Sequence, residues 1–340
     1  MREALAQLEK ASDALDGEYA KAIGRIELQL PGWRGLARRV LLWITYATRQ
    51  LSINELREAI AIDPKRQNVD LDDYLNDENK IVSVCQGLVE VDQESRVVRL
   101  VHYTTQEYFE KIRDSWLSEG KLKISHNCIA YLSMNVFEHS QRDWETDLST
   151  TIEQYRFLEY AGKNWGVHAR TVHDKELQAK IMDFLLNADY LRFSSMFTFG
   201  RVGYDGKYRC FVSDTSATHV SSYFDLYHIV EGLIQRGEDV NHRDSWSRTP
   251  LSYTAQRGYT EIAQLLLAQP DIELNQGSPL GPAAGGGHIE IVQLLLAQPG
   301  TKVNGKDQFG DTPLWYATHL GHTEIVQLLL AHPDIADQNE

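Results

Sequence analysis

The groups in this chain that could do chemistry are few, and their spacing does not bring them together. A triphosphate site needs a glycine-rich turn whose backbone N–H groups cradle phosphate, then a lysine and a hydroxyl that holds magnesium. The pairs Gly162-Lys163, Gly206-Lys207 and Gly305-Lys306 lack both the glycine spacing and a following Ser or Thr. The run Gly285 to Gly287 follows no strand signal and is not a phosphate loop. Zinc takes four ligands, whereas His126 with Cys128, and His319 with His322, are pairs with no second pair at matching spacing. There is no G-x-S-x-G nucleophile elbow. The carboxylates Asp72 and Asp73 lie in a polar stretch, 65–77, and read as solvated charge. Cys85, Cys128 and Cys210 are odd in number and scattered, so they form no disulfide framework and fit a reducing compartment. No catalytic residue, metal, cofactor or small-molecule substrate is expected.

The 340 residues exceed one ordinary hydrophobic core, so two or three domains are expected. With 42% hydrophobic and 24% charged residues the chain has a globular composition, and its net charge of −14 repels phosphate backbones and anionic lipid. Nucleic acid and membrane are therefore not expected as partners. The N-terminal MREALAQLEKASDAL has no signal-peptide core, and the longest apolar run, Val40 to Ala47, is too short to span a bilayer. A cytoplasmic location is expected, with the nucleus as the other possibility.

What the sequence does contain is repetition. Thr249-Pro250-Leu251, Ser278-Pro279-Leu280 and Thr312-Pro313-Leu314 are each followed by a glycine (Gly258, Gly287, Gly321) and then by an apolar segment ending in three leucines. Asn275 and Asn304 close two of these units. Threonine before proline starts a helix, because Thr caps well and proline at the first position lacks an N–H that would have no partner anyway. The glycine permits the turn between two antiparallel helices. The second helix carries more apolar surface than one unit can bury, so the units must stack.

These units resemble the ankyrin repeat. DQFGDTPLWYATHLGHTEIVQLLLAHPDI matches that pattern nearly throughout, except that Trp315 stands where the family usually has histidine. A weaker first unit, Ala217 to Asn241, keeps the second helix and the closing asparagine but has Asp225 in place of the turn glycine. The third unit lacks about five residues between Asn275 and Pro279, so it should have no projecting finger. Its first helix would read SPLGPAAGGG, a poor helix that is expected to be mobile. After Leu330 no polar capping unit follows, so Ile325, Leu328 and Leu329 should leave apolar surface exposed. The resemblance implies a concave binding face: fingertips Ser245, Trp246 and Arg248, then Gln308, Phe309 and Asp311, with Tyr223, Phe224, Gln256, Arg257, His319 and Leu320 from the inner helices. From Ala217 to the end there are 6 basic and 15 acidic residues, which favours a protein partner with a basic patch.

The first two thirds read differently. Residues 1 to about 30 form one or two helices, and Gly35 to Gln50 a strongly amphipathic one. Ser52 and Glu55 make a capping box for INELREAIAI, ENKIVSVCQG is a third helix, LVEVDQESRVVRLVH a hairpin, and Thr104 opens TTQEYFEKI. That is the winged-helix order. RRVLLWITYATRQLSINELREAIAI, IVSVCQGLVEVDQESRVVRLVHYTTQEYFE and LEYAGKNWGVHAR resemble the winged helix and helical spacer of fungal NACHT–ankyrin proteins, NLR-like ATPases of the STAND class. Those proteins pair a nucleotide switch with a C-terminal sensing array; this sequence departs from them in having no G-x-x-x-x-G-K followed by Ser or Thr, and the resemblance places His102 where they have a histidine that touches ADP. The bland alternative is a polar residue at a strand-to-helix corner. DNA binding is disfavoured, since ENKIVSVCQG holds one lysine and no arginine. Winged helices of this type are sometimes named after a lipid deacylase, but no hydrolase motif is present.

The expected fold class is mainly α: an N-terminal helical segment (1–32), a winged-helix-like domain (33–115), a helical spacer (116–212) and an ankyrin solenoid (213–340). The solenoid divides into units at about 216–241, 244–275, 276–304 and 305–337. The expected function is a non-enzymatic protein-binding module. The alternatives are the accessory half of a nucleotide switch acting with a separate ATPase, a degenerate remnant of a larger gene, and, last, a winged-helix DNA binder.

Overall fold

Leu36, Ala37, Val40, Leu41 and Trp43 recur at helical spacing and are all buried on one side of a helix. A computed structural model describes residues 2–62, 78–134, 144–202, 208–209, 213–307 and 309–335. The polar stretch 65–77 with Asp72 and Asp73, the pair Gly206-Lys207, Cys210, Gln308 and the residues after 335 lie outside the described residues. The protein is mainly helical, with a winged helix towards its N-terminus and ankyrin repeats towards its C-terminus, and it divides into two compact units, 1–177 and 178–340.

In the first unit a long helix α1 (Arg2–Glu27) leads to α2 (Pro31–Tyr46), the short strand β1 (Leu51–Ser52), α3 (Ile53–Ala61) and α4 (Glu78–Val84). The strands β2 (Val89–Val91) and β3 (Val97–Leu100) follow. Sheet order is β1-β3-β2, antiparallel throughout. Ser52 starts α3 through the expected box: its hydroxyl accepts from Glu55 N, and the Glu55 carboxylate accepts from Ser52 N at 2.7 Å. The next helix, α5 (Tyr103–Trp116), corrects the sequence reading. It opens one residue before Thr104, and its cap is His102, whose Nδ1 accepts from Thr104 N at 3.3 Å.

Helices α6 (Gly120–Leu132), α7 (Trp144–Gln154) and α8 (Leu158–Ala169) continue this unit. Trp43 of α2 packs edge-on to Phe157 (5.1 Å) and Tyr160 (6.0 Å), so the winged helix and the following helices share one aromatic core. Glu58 of α3 braces it, accepting from Tyr131 Oη at 2.6 Å and from the backbone N–H groups of Arg156 and Phe157.

Helix α9 (Lys175–Leu186) carries the chain from the first unit into the second, where α10 (Ala188–Phe199) and the short pair β4 (Arg201–Val202) and β5 (Tyr208–Arg209) precede four helix pairs. These are α11 (Ala217–Tyr223) with α12 (Tyr227–Gln235), and α13 (Pro250–Arg257) with α14 (Thr260–Leu267). Then come α15 (Leu280–Gly285) with α16 (Ile289–Leu296), and α17 (Pro313–His319) with α18 (Thr323–Leu330). Thr249 and Thr312 cap α13 and α17 with proline at the first position. Gly258, Gly287 and Gly321 turn between helices at positive φ, and Asp225 adopts the same left-handed conformation in their place (φ 60°).

A ladder of asparagines ties each unit to the next. Asn241 spans to Asp271 O and Glu273 N, Asn275 to Gly300 O and Lys302 N, and Asn304 to Asp334 O, each at 2.7–2.8 Å. His288 and His322 bond back to the carbonyls of Gln256 and Gly285, at the C-terminal ends of the preceding inner helices. One continuous apolar core runs through the stack.

One expectation is refined here and one corrected. The poor helix expected in SPLGPAAGGG is α15, only six residues long, and the full burial of Ala283 and Ala284 supports it against weak propensity. Its Ser278 is not a cap but sits at φ 47°. At the end of the stack Ile325 and Leu329 are buried and Leu328 is half-buried, while Leu330 is the exposed leucine.

Candidate functional site

Two of the units project the same finger. In the first, Asp244 Oδ1 accepts from the N–H groups of Trp246 (2.8 Å) and Arg248 (2.9 Å), and its Oδ2 from Tyr253 Oη at 2.5 Å. In the second, Asp307 accepts from Phe309 N (2.8 Å), Asp311 N (3.0 Å) and Tyr316 Oη (2.5 Å). Ser247 and Gly310 make the same left-handed bend at φ 57° and 87°. One carboxylate thus shapes each loop and pins it to the inner helix nine residues on. Burial alone would raise the Asp307 pKa, but the Tyr316 hydroxyl and the backbone N–H groups of Asp311, Phe309 and Gly310 hold it below the usual carboxylate value. Burial, then the bond to Asp307, pushes Tyr316 up to about 12.

The unit between them has no finger. Its connection is the turn at Gln276–Ser278, in which Ser252 Oγ donates to Gly277 O at 2.9 Å. A Cβ on Gly277 would lie 2.2 Å from Ser252 Oγ and 2.9 Å from Thr249 N, and its φ is 65°, so this short cut requires glycine. The gap is a groove of about 1030 Å³, walled by Trp246 on one side and Phe309 on the other. Gly281, Pro282, Gly285 and Gly286 of the fingerless unit also line it, with Tyr316 and Leu320.

Of the residues singled out from sequence, Trp246, Arg248, Gln256, Phe309 and Leu320 line this groove. Trp246 is 43% exposed and Phe309 74%. Arg248 lies between rings, 4.3 Å from Trp246 and 4.8 Å from Tyr253. Arg257 is exposed outside the groove, over the half-buried Tyr223 at 3.9 Å. His319 stacks on Trp315 at 4.7 Å, and Asp311 is half-buried at the base of the second finger. Phe224 corrects the sequence reading: it is buried (3% exposed), packed edge-on to Tyr223, and is not part of a surface.

Sequence reasoning missed Arg243 and Lys306, which also line the groove. Only the loss of a finger brings them to one hollow, and no motif marks that. It also missed Ser216 and His219. His219 Nδ1 accepts from Ser216 N at 3.1 Å, so its Nε2 carries the proton and donates to Arg248 O at 3.0 Å, supporting the first finger from the preceding unit. Burial lowers the His219 pKa to about 4, keeping the ring neutral.

In the first unit His102 lines a separate hollow of about 530 Å³ with Arg49 and Arg99. Cys85 and Cys128 are buried free thiols, and burial pushes Cys85 up to about 12 and Cys128 higher still. Among the described residues no helix is long and apolar enough to cross a membrane, and no group of three His, Cys, Asp or Glu could hold a metal ion.

Comparison with known proteins matches these two parts separately. Residues 218–307 and 283–340 match the family described as "Ankyrin repeats (3 copies)". The chain is 23% identical over 264 residues to "Azaphilone pigments biosynthesis cluster protein L" of Monascus ruber. The match covers 68% of this chain and 54% of that protein, so the chain spans about half the length of the curated relative. Residues 26–120 match the family described as "GPI inositol-deacylase, winged helix domain".

Proposed function

We propose that this chain is a non-enzymatic, cytoplasmic protein-binding module that recognises its partner through the groove of its ankyrin array. The observation that carries this is the pair of exposed aromatic rings, Trp246 and Phe309, on two identically built fingers with an open groove between them. Large aromatics and arginine on a preformed scaffold are the usual anchors of an interface. The chemistry-bearing groups, in contrast, are scattered or buried: the thiols of Cys85 and Cys128 are held protonated. On this reading residues 1–32 and the winged helix at 33–115 form a platform, 116–212 a spacer and 213–340 the sensing array, an arrangement derived from NLR-like NACHT proteins. The acidic excess of the array steers it towards partners with a basic patch.

The test is a pull-down from the native cell extract with the intact chain and a Trp246→Ala, Phe309→Ala double variant, both shown to melt cooperatively. A protein retained by the parent and lost by the variant is expected. Equal retention by both moves the site to the winged-helix platform, and capture by neither favours a remnant without a partner.

A second reading keeps His102 as a contact to nucleotide held by a separate ATPase. Behind it stands the hollow that His102 lines with Arg49 and Arg99, although Arg49 is paired with Glu55 and Arg99 with Glu90 and Asp92. A nucleotide effect on association with such an ATPase, lost in Arg99→Ala, supports it. No nucleotide effect in any combination removes it.

A further inference from the structure

The charge of the groove is opposite to the charge of the array. Six basic residues face 15 acidic ones from Ala217 onward. The groove nevertheless holds Arg243, Arg248 and Lys306 against a single acid, Asp307. That acid is already satisfied by Tyr316 and two backbone N–H groups. Of the other acids, Asp244 is buried against Arg248 and Glu273 is bonded to Gln276, while Glu261, Glu290 and Glu324 are exposed in the first turns of the outer helices.

Two of the three cations are also unspent. Arg243 and Lys306 are exposed and have no hydrogen-bond or ion-pair partner among the described residues. Arg248 has only a long contact to Asp244 (Nε to Oδ2, 3.7 Å), and its Nε makes no hydrogen bond. Stacking between Trp246 and Tyr253 holds its guanidinium plane, and a held plane suits bidentate capture of a carboxylate. At physiological salt the Debye length is about 8 Å. Net charge therefore acts on approach, while in contact the groups lining the groove decide which partner fits.

We propose that the groove of the fingerless unit binds an acidic segment of a partner protein. Apolar side chains of the segment pack against Trp246 and against Phe309, and its carboxylates meet Arg243, Arg248 and Lys306. Packed helices lie about 8–10 Å apart, so fingers two units apart leave an opening of roughly 20 Å. An extended chain advances about 3.3 Å per residue, so the groove takes about six residues. The proposal rests on the reading of the array as a protein-binding module and adds the chemical class of what it binds. Nucleic acid, the other polyanion, is disfavoured by the acidic surface that surrounds the groove.

The test is a selection of random heptapeptides on the intact chain, counter-selected on the Trp246→Ala, Phe309→Ala variant. Enrichment of peptides with two or more Asp or Glu beside a large apolar residue is the expected result. One such labelled peptide is then titrated against the parent and against Arg243→Glu, Lys306→Glu, whose side chains hold nothing in place and whose melting should match the parent. The dissociation constant should rise at least tenfold in that variant, and the parent's own affinity should fall with added salt. Enrichment of basic or uncharged peptides, no enrichment, or equal affinity in the charge-reversed variant overturns the proposal. A labelled oligothymidylate that binds the parent as tightly as the peptide also overturns it. The pull-down above uses folded partners and no charge reversal, so it can succeed where this test fails, and the two failures are distinct.

Discussion

The two fingers share their backbone design and differ in what stands beneath them. Asp244 and Asp307 make matching hydrogen bonds to their loops and to a tyrosine nine residues on. Under the first finger His219 donates to Arg248 O, and Arg248 fills the space between Trp246 and Tyr253. Under the second, the position equivalent to His219 is Gly281, which has no side chain, and Asp311 replaces Arg248. The third member of that series, Ser252, donates to the carbonyl of the short turn at Gly277. The same loop is thus a braced anchor in one unit and a bare one in another. The difference arises in the preceding unit, as expected for a stack whose stability lies in its neighbour contacts.

The comparison is broken most directly by removing the carboxylates. The Asp244 side chain is fully buried. Asp244→Ala should cost about 3–4 kcal/mol in chemical denaturation, because it orphans the buried Tyr253 hydroxyl and two N–H groups. Asp307→Ala should cost about 1–2 kcal/mol, since water can reach the half-buried Tyr316. Equal costs would mean that the bracing under the first finger is immaterial.

Acid between about pH 6.5 and 4 should act next, and on the first finger. His219 has a pKa of about 4 in the folded protein against an ordinary value of about 6.5. The unfolded chain therefore binds a proton that the folded one refuses. The stabilising preference is present above about pH 6.5 and is lost as pH falls towards 4, on the order of 3 kcal/mol in all. Hydrogen exchange at the amides of Trp246 and Arg248 should quicken over that window, while those of Phe309 and Asp311 stay flat. His219→Gln should abolish the difference. His168, also lowered to about 4 by burial first and then by Lys121, imposes a second acid slope on the first unit.

Smaller effects sharpen the picture. Gly310→Ser should cost about 1 kcal/mol at its left-handed bend, and Ser247→Gly should return a smaller amount, both read from thermal melting. Gly281→Ala places a Cβ 3.7 Å from Tyr316, an ordinary contact, and should stabilise α15 by about 0.5–1 kcal/mol.

Local rules were legible wherever residue type alone decides the backbone. The box at Ser52 and Glu55 and the helix starts at Thr249 and Thr312 all followed from local residue types. Ser216 with His219 went unread because histidine at the third helical position is not the usual Glu or Gln partner. His102 as a cap was hidden for the same reason. Where burial decides, sequence failed: Phe224 looked exposed, and nothing in SPLGPAAGGG marked Ala283 and Ala284 as the buried contacts that support its short helix. The missing finger was legible from the residues lacking between Asn275 and Pro279, but the charge of the hollow it leaves was not. Arg243, Arg248 and Lys306 come from separate segments, and only stacking assembles them.

The asparagine ladder has a consequence for how such a protein can change over time. Asn241, Asn275 and Asn304 make matching bonds whether or not a finger follows, and Asn275, which itself lines the groove, still reaches Gly300 and Lys302 beside the shortened turn. Structural register therefore survives a change in the length of the recognition loop next to it. Insertions or deletions at the turn can redraw what the array recognises without re-solving how it stacks, so specificity here can evolve by changes in length as readily as by changes in residue.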